Sequence, residues 1–121
     1  MDTNSVVRFV IKYSWHKDRK LIKDAIEKHI LFKTCIILYK DKSEKEIVAV
    51  VRFNISQSGK VAHILDIIIA PEYRHKRVMK ILLLKGLRMY PSVTHLVWER
   101  ESKFPNRKQR YISVSRLLKR S

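Results

Sequence analysis

Glycine is scarce in this chain: Gly59 and Gly86 are the two among 121 residues. A phosphate-cradling loop of the G-x-x-x-x-G-K-S/T kind needs several positions without a Cβ, so that class of site is excluded. Cysteine is scarcer still. Cys35 alone leaves no intrachain disulfide and no cysteine-rich metal centre, and the five histidines lack metal-ligand spacing, so no metal site is expected. Serine never sits in a nucleophile elbow. No apolar run approaches the roughly 20 residues of a membrane span. The opening MDTNSVVRF lacks the basic-then-apolar order of a secretory leader. These absences predict a cytoplasmic protein whose one cysteine is a small buried residue.

Acid is also short. Against 27 Lys+Arg stand 11 Asp+Glu, for a net charge of +16. The imbalance is uneven, since residues 71–121 hold 14 basic and three acidic residues, a net of +11. A self-repelling surface of this kind usually meets a polyanion: nucleic acid, an anionic membrane surface or a phosphate-bearing ligand. The competing reading is a solvated, lysine-rich surface with no such partner. At this length the chain is one domain, and 45% hydrophobic residues suffice for one core.

Along the chain, Val6 to Tyr13 (VVRFVIKY) alternates apolar and polar residues, and the alternation predicts a strand. Ser14 is a candidate N-cap for an amphipathic helix over about Trp15 to Leu31. On its apolar stripe, His29 reads as a hydrogen-bonded residue at the core edge. Three extended runs follow, Thr34 to Lys40, Glu46 to Ser56 and Val61 to Ala70. Their short polar connections predict an antiparallel meander. The third run, VAHILDIIIA, is apolar on both parities and predicts a central strand covered on both faces. Val78 to Tyr90 reads as a helix stopped by Pro91, and Val93 to Glu99 as a further strand, parallel to the third run by the usual strand, helix, strand crossover. From Arg100 the tail holds an exposed basic loop, KFPNRKQR, and then YISVSRLL, a last strand.

The junction IIIAPEYRHKRVMKILL carries most of the chemistry. An apolar strand end, Pro71, and four cationic or titratable residues (Arg74, His75, Lys76, Arg77) precede a helix whose N-terminal amides and dipole favour an anion. This segment and the order of elements resemble the Gcn5-related N-acetyltransferase (GNAT) superfamily. In that family a strand ends in a segment like V-x-P-x-x-R-x-x-G-x-G/A, which receives the pyrophosphate of acetyl-CoA. The resemblance covers roughly residues 6–99 and is motif-grade over Ile67 to Leu84. It implies an α/β fold: a mixed sheet in which an antiparallel meander is followed by a helix and a parallel strand, with a shortened C-terminal part. Residues 1–99 form the core and residues 100–121 the basic loop and last strand.

The same resemblance implies acetyl-CoA as cofactor, held by Ile69, Arg74, His75, Lys76, Arg77, Val78 and Met79. The chain departs from the pattern where Arg77 and Met79 replace the two small residues. Side chains there are expected to give up both the positive φ and the close phosphate approach that glycine allows, so a degenerate site that has lost its cofactor is the alternative. The resemblance also implies N-acyl transfer, which needs a base for the amine and an acid for the thiolate. Some members carry a glutamate base at the strand position matching His63, and a histidine titrates near neutral pH. Asp66 is the second candidate. Alternation points it away from His63 unless a bulge intervenes, and its structural reading is a buried carboxylate paired to a cation. Tyr111 stands in for the family's leaving-group tyrosine, while Tyr90 reads as core.

A second function class is a non-catalytic module of the same fold. Arg100, Lys103, Arg107, Lys108 and Arg110, interleaved with Phe104 and Tyr111, suit sequence-independent phosphate contacts and base stacking on nucleic acid. Small relatives are encoded by bacteriophages, which adds a virion-associated role to that class.

Overall fold

A computed structural model of the chain describes residues 3–14, 17–74, 77–100 and 108–119. The element order is α1 (Thr3–Tyr13), α2 (Arg19–Leu31), β1 (Cys35–Tyr39), β2 (Ile47–Ile55), β3 (Val61–Ile69), a 3-10 turn (Pro71–Tyr73), α3 (Val78–Met89), β4 (His95–Arg100), β5 (Lys108–Ser113) and α4 (Val114–Lys119). One five-stranded sheet runs in the order β1-β2-β3-β4-β5. Every neighbouring pair is antiparallel except β3 and β4, which are parallel and joined through α3. The expected α/β fold, the meander and the parallel crossover are all present.

The first element corrects the sequence reading, since VVRFVIKY is helical. Val6 and Val7 on one turn and Phe9 and Val10 on the next are buried on a single face. Phe9 and Tyr13, four residues apart, meet edge-to-face with ring centroids 5.0 Å apart. Spacings of three and four serve a helix as well as alternation serves a strand. Burial between α2 and the sheet then outweighs the strand preference of Val and Ile, which is a weak and context-dependent bias. The second helix starts at Arg19 instead of Trp15, because the side chain of Asp18 accepts the amide of Leu21 and caps it.

Two apolar layers enclose the sheet. On one face α1 and α2 pack against Cys35, Ile37, Val50, Ile68 and Ala70. On the other, Val78 and Leu82 of α3 lie against Ile36, Val51, Phe53 and Ala62. β3 is central in the sheet, as expected, but its middle is not covered on both faces: His63 and Leu65 are exposed. The tail departs further. Strand β5 begins at Lys108, inside the expected basic loop, and VSRLLK is helical where a strand was expected. Among the described residues, no helix is long and apolar enough to cross a membrane.

Candidate functional site

The central feature is a parting of β3 and β4. Their ladder runs from Val61–His95 to Ile64–Trp98 and stops, although β3 continues to Ile69 and β4 to Arg100. A bulge marks the stopping point. Arg52 of β2 faces Asp66 while the next residue, Phe53, faces Ile64, so Leu65 is the extra residue. Beyond it, β3 has no ladder partner on the β4 side. A cleft of about 300 Å³ opens there between Ile64, Ile67, Leu83, Trp98 and Leu117, with Asp66 and Met79 at its edge. A second cavity of about 450 Å³, bounded by Tyr13, Ser14, Ile69 and Arg74, shares Asp66, Ile67 and Met79 with the first. Both fall in the size range of small-molecule sites.

At the head of this cleft α3 begins. Its N-cap is Arg77, held at φ 57° and ψ 19° without any side-chain cap. The sequence expectation that an arginine gives up positive φ is therefore corrected, because the left-handed turn survives without the glycine. Seating of the helix is what fixes it: Val78 and Leu82 are buried immediately afterwards, Leu82 completely. A left-handed non-glycine residue costs roughly 1–2 kcal/mol, which this burial offsets. The first amides of the helix have no intrahelical acceptor, and no acidic side chain occupies its first turn. Arg77 and Met79 are exposed beside them. His75 and Lys76 lie outside the described residues. Arg74 takes another direction, its Nε donating to the Ile69 carbonyl at the end of β3 over 3.2 Å.

The bulge also settles the parity of the two catalytic candidates. In the observed register His63 faces Asn54 and Asp66 faces Arg52, two residues apart on β2, so His63 and Asp66 share the α1/α2 face of the sheet. Asp66 lines both cavities and His63 lines neither. The Asp66 carboxylate is engaged by Arg52, with Nε at 3.1 and 3.2 Å from its two oxygens and Nη2 at 2.7 Å from Oδ2. Both side chains are 18% exposed. This is the paired carboxylate the sequence suggested, and its partner is Arg52, a lone cation in the apolar run IVAVVRF that could have been flagged as an ion-pair residue.

Around the pair the chemistry is quiet. His29 Nδ1 lies 2.8 Å from Thr34 Oγ1, and burial, reinforced by the Arg52 charge, pushes its pKa down. Burial pushes the Cys35 thiol up to about 12, so it is no nucleophile. Tyr90 packs edge-to-face on Phe53 and donates to the Lys33 carbonyl at 2.7 Å, a structural role as expected. Tyr111 stands on β5 opposite Val97, in one row across the sheet with His63.

Of the basic tail residues, Arg100, Lys108 and Arg110 lie in β4 and β5. Arg100 faces Lys108 across β4 and β5 and Arg110 faces Trp98, while Lys103 and Arg107 lie outside the described residues. Tyr13, Ser14 and Trp98 were missed as site residues, since only the fold brings α1 and β4 to the same gap. Among the described residues, no group of His, Cys, Asp or Glu could hold a metal ion.

The sequence model of the acetyltransferase (GNAT) family matches residues 8–107. No curated protein sequence matches the chain. Among solved structures, a chimera of the spermidine N-acetyltransferase SpeG from Vibrio cholerae with hSSAT superposes with a TM-score of 0.65 at 17% identity, over 99% of this chain and 96% of that one. A GNAT-family protein from Desulfovibrio desulfuricans gives 0.60 at 13% identity, over 82% of this chain and 67% of that one. GphF, a GNAT-like decarboxylase in complex with isobutyryl-CoA, gives 0.59 at 14% identity, over 86% and 64%. The chain thus spans about two thirds of the length of the last two. Such identities report shared architecture, whereas the family model runs through the parted strands and the left-handed start of α3; the chain belongs to the GNAT family of acetyltransferases.

Proposed function

We propose that this protein is an acyl-CoA-dependent N-acyltransferase. The observation that carries the reading is the parting of β3 from β4 with the uncapped, left-handed head of α3 above it. The residues fit the two ends of such a donor. The helix head after Arg77, with the Arg77 guanidinium, suits a pyrophosphate, and the walls of the cleft (Ile64, Ile67, Leu83, Trp98) suit an apolar arm. When bound, acyl-CoA supplies the acyl group as an activated thioester. The chain's own groups act on the amine. Held by Arg52, Asp66 accepts an N–H of the amine and aims its lone pair; His63 shares that sheet face but lines neither cavity, so it takes the released proton through intervening water. In balance, a C–N bond forms, the C–S bond breaks, and the amine's lost proton is matched by one gained by the departing thiolate.

Calorimetry with CoA and acetyl-CoA tests the donor half. Micromolar binding is expected, and no heat at millimolar ligand would remove the reading. For the chemical half, His63→Ala is expected to slow acyl transfer by about a hundredfold, the usual size of a general-base contribution, without changing CoA affinity.

A further inference from the structure

The end of the molecule remote from the cleft combines cations with bare apolar side chains. Strand β3 and helix α3 connect the two ends: β3 runs from Val61 to Ile69 at the cleft, and α3 returns from Val78 to Met89. Hydrogen bonds tie four segments together there. Tyr90 Oη donates to the Lys33 carbonyl at 2.7 Å, joining the turn after α2 to the end of α3. The amides of Thr94 and His95 donate to the Lys60 carbonyl in the β2–β3 turn, and the amide of Val114, at the start of α4, donates to the Thr94 carbonyl. Lys28, Lys33, Lys60, Arg88 and Arg116 are exposed on these segments, and none has an ion-pair partner among the described residues. Residues 28–34, 56–60, 88–95 and 113–116 contain no Asp or Glu, although the chain has 11. Beside the cations stand three large apolar residues: Leu31 is 77% exposed, Phe32 62% and Met89 47%. A lone exposed leucine needs no explanation, but three such residues around one hydrogen-bonded junction, amid charge of one sign, mark an interaction surface.

We propose that this end of the protein docks on an anionic phospholipid surface, independently of the acyl-transfer site. Its two features answer the two layers of such a surface: the cations meet headgroup phosphates, and Leu31, Phe32 and Met89 enter the boundary of the acyl chains. Other occupants fit one feature only. Nucleic acid would meet the cations but leave Leu31 and Met89 without hydrocarbon, and a second copy meeting the same end would set five cations against five. The closed turn at Lys33 serves the docking, because it holds Leu31 and Phe32 on a hydrogen-bonded helix end instead of a loose loop. Since the cleft lies at the opposite ends of β3 and α3, the docked protein keeps it facing water.

The test is flotation of the full chain with vesicles of phosphatidylcholine alone and of phosphatidylcholine and phosphatidylserine in equal parts. Binding to the anionic vesicles is expected, weakened by salt and absent with phosphatidylcholine alone. Lys33→Gln and Arg88→Gln should each lower partitioning about fivefold, and Leu31→Ser combined with Phe32→Ser about tenfold or more. Met89→Ser is the second apolar variant and should lower it by less. All these positions are exposed, so the urea midpoint and CoA affinity should stay those of the wild type. No binding to the anionic vesicles would overturn the inference. So would vesicle binding that neither apolar variant weakens, by reducing the contact to attraction toward the net charge. A labelled DNA duplex whose binding falls with Lys33→Gln while vesicle binding does not would give the surface to nucleic acid and overturn it too. A dimer in sedimentation that dissociates when Leu31 and Phe32 are replaced would do the same, by giving the surface to a second copy.

Discussion

Two turns of this molecule share a backbone conformation and differ in every consequence of it. At the end of α2, Lys33 adopts φ 59°; at the start of α3, Arg77 adopts φ 57°. Neither is glycine, and both carry the strain of the left-handed region. After α2 the strain is repaid locally: Lys33 N donates to the Ile30 carbonyl at 3.1 Å and Thr34 N to the His29 carbonyl at 2.8 Å, the paired closure of a Schellman motif. Tyr90 Oη then binds the Lys33 carbonyl from the far end of α3. Before α3, among the described residues, no side chain of the N-cap closes the turn, and it opens a helix beside the cleft. One left-handed residue closes a helix; the other begins one. The same strain is structural in the first place and, on the reading proposed, functional in the second.

The largest expected effect breaks the comparison by charge. Arg77→Glu should weaken CoA binding by well over tenfold, since a carboxylate beside the helix head repels the phosphates, while Lys33→Glu leaves CoA affinity unchanged in the same calorimetric assay. Next is the buttress of the structural turn. Thr34→Val removes the hydroxyl that meets His29 Nδ1 and should cost about 1–2 kcal/mol in urea denaturation, because a buried polar atom loses its partner. Smaller and more diagnostic is glycine at each turn. Lys33→Gly and Arg77→Gly should both raise stability by about 0.5–1 kcal/mol through relief of left-handed strain, yet only Arg77→Gly should also lower CoA affinity. A fall in stability at either position would show that the side chain packs as well as strains.

The smallest effect is in pH. His29 has its pKa lowered in the folded state by burial and then by the Arg52 charge, so the unfolded chain binds the proton more readily. Its contribution is therefore complete above the unfolded value of about 6.5 and is lost as pH falls from there toward the folded pKa. Urea midpoints followed from pH 7.5 to 5 should fall for the wild type and fall less for His29→Gln. An identical slope in the two proteins would clear His29 of any part in the acid sensitivity of the α2 turn.

Much of the architecture was legible because it was written in local pattern. Short polar connections set the antiparallel meander, and the Leu-rich run over Val78–Met89 required a covering helix. The strand after Pro91 then had to lie parallel to β3. The helix α1 was misread because Val6, Val7, Phe9 and Val10 satisfy two periods at once, and only the partner surface chooses between them. Asp66 was legible as a paired carboxylate from its place in an apolar strand. Its partner was not, since the pairing of Arg52 with Asp66 depends on the register between β2 and β3.

By itself, then, the sequence determined the basic charge, the element order from β1 to β4 and the cationic junction at Arg74–Arg77, because composition and periodicity are properties of neighbours along the chain. The bulge at Leu65 was decided only by the tertiary structure, and with it the shared face of His63 and Asp66, the end of the β3–β4 ladder and the cleft beyond. So was the left-handed turn at Arg77, which no residue preference favours. A one-residue offset between strands and a strained dihedral have no local signature; they exist because burying Val78 and Leu82 against the sheet outweighs the cost of bending the chain to get them there.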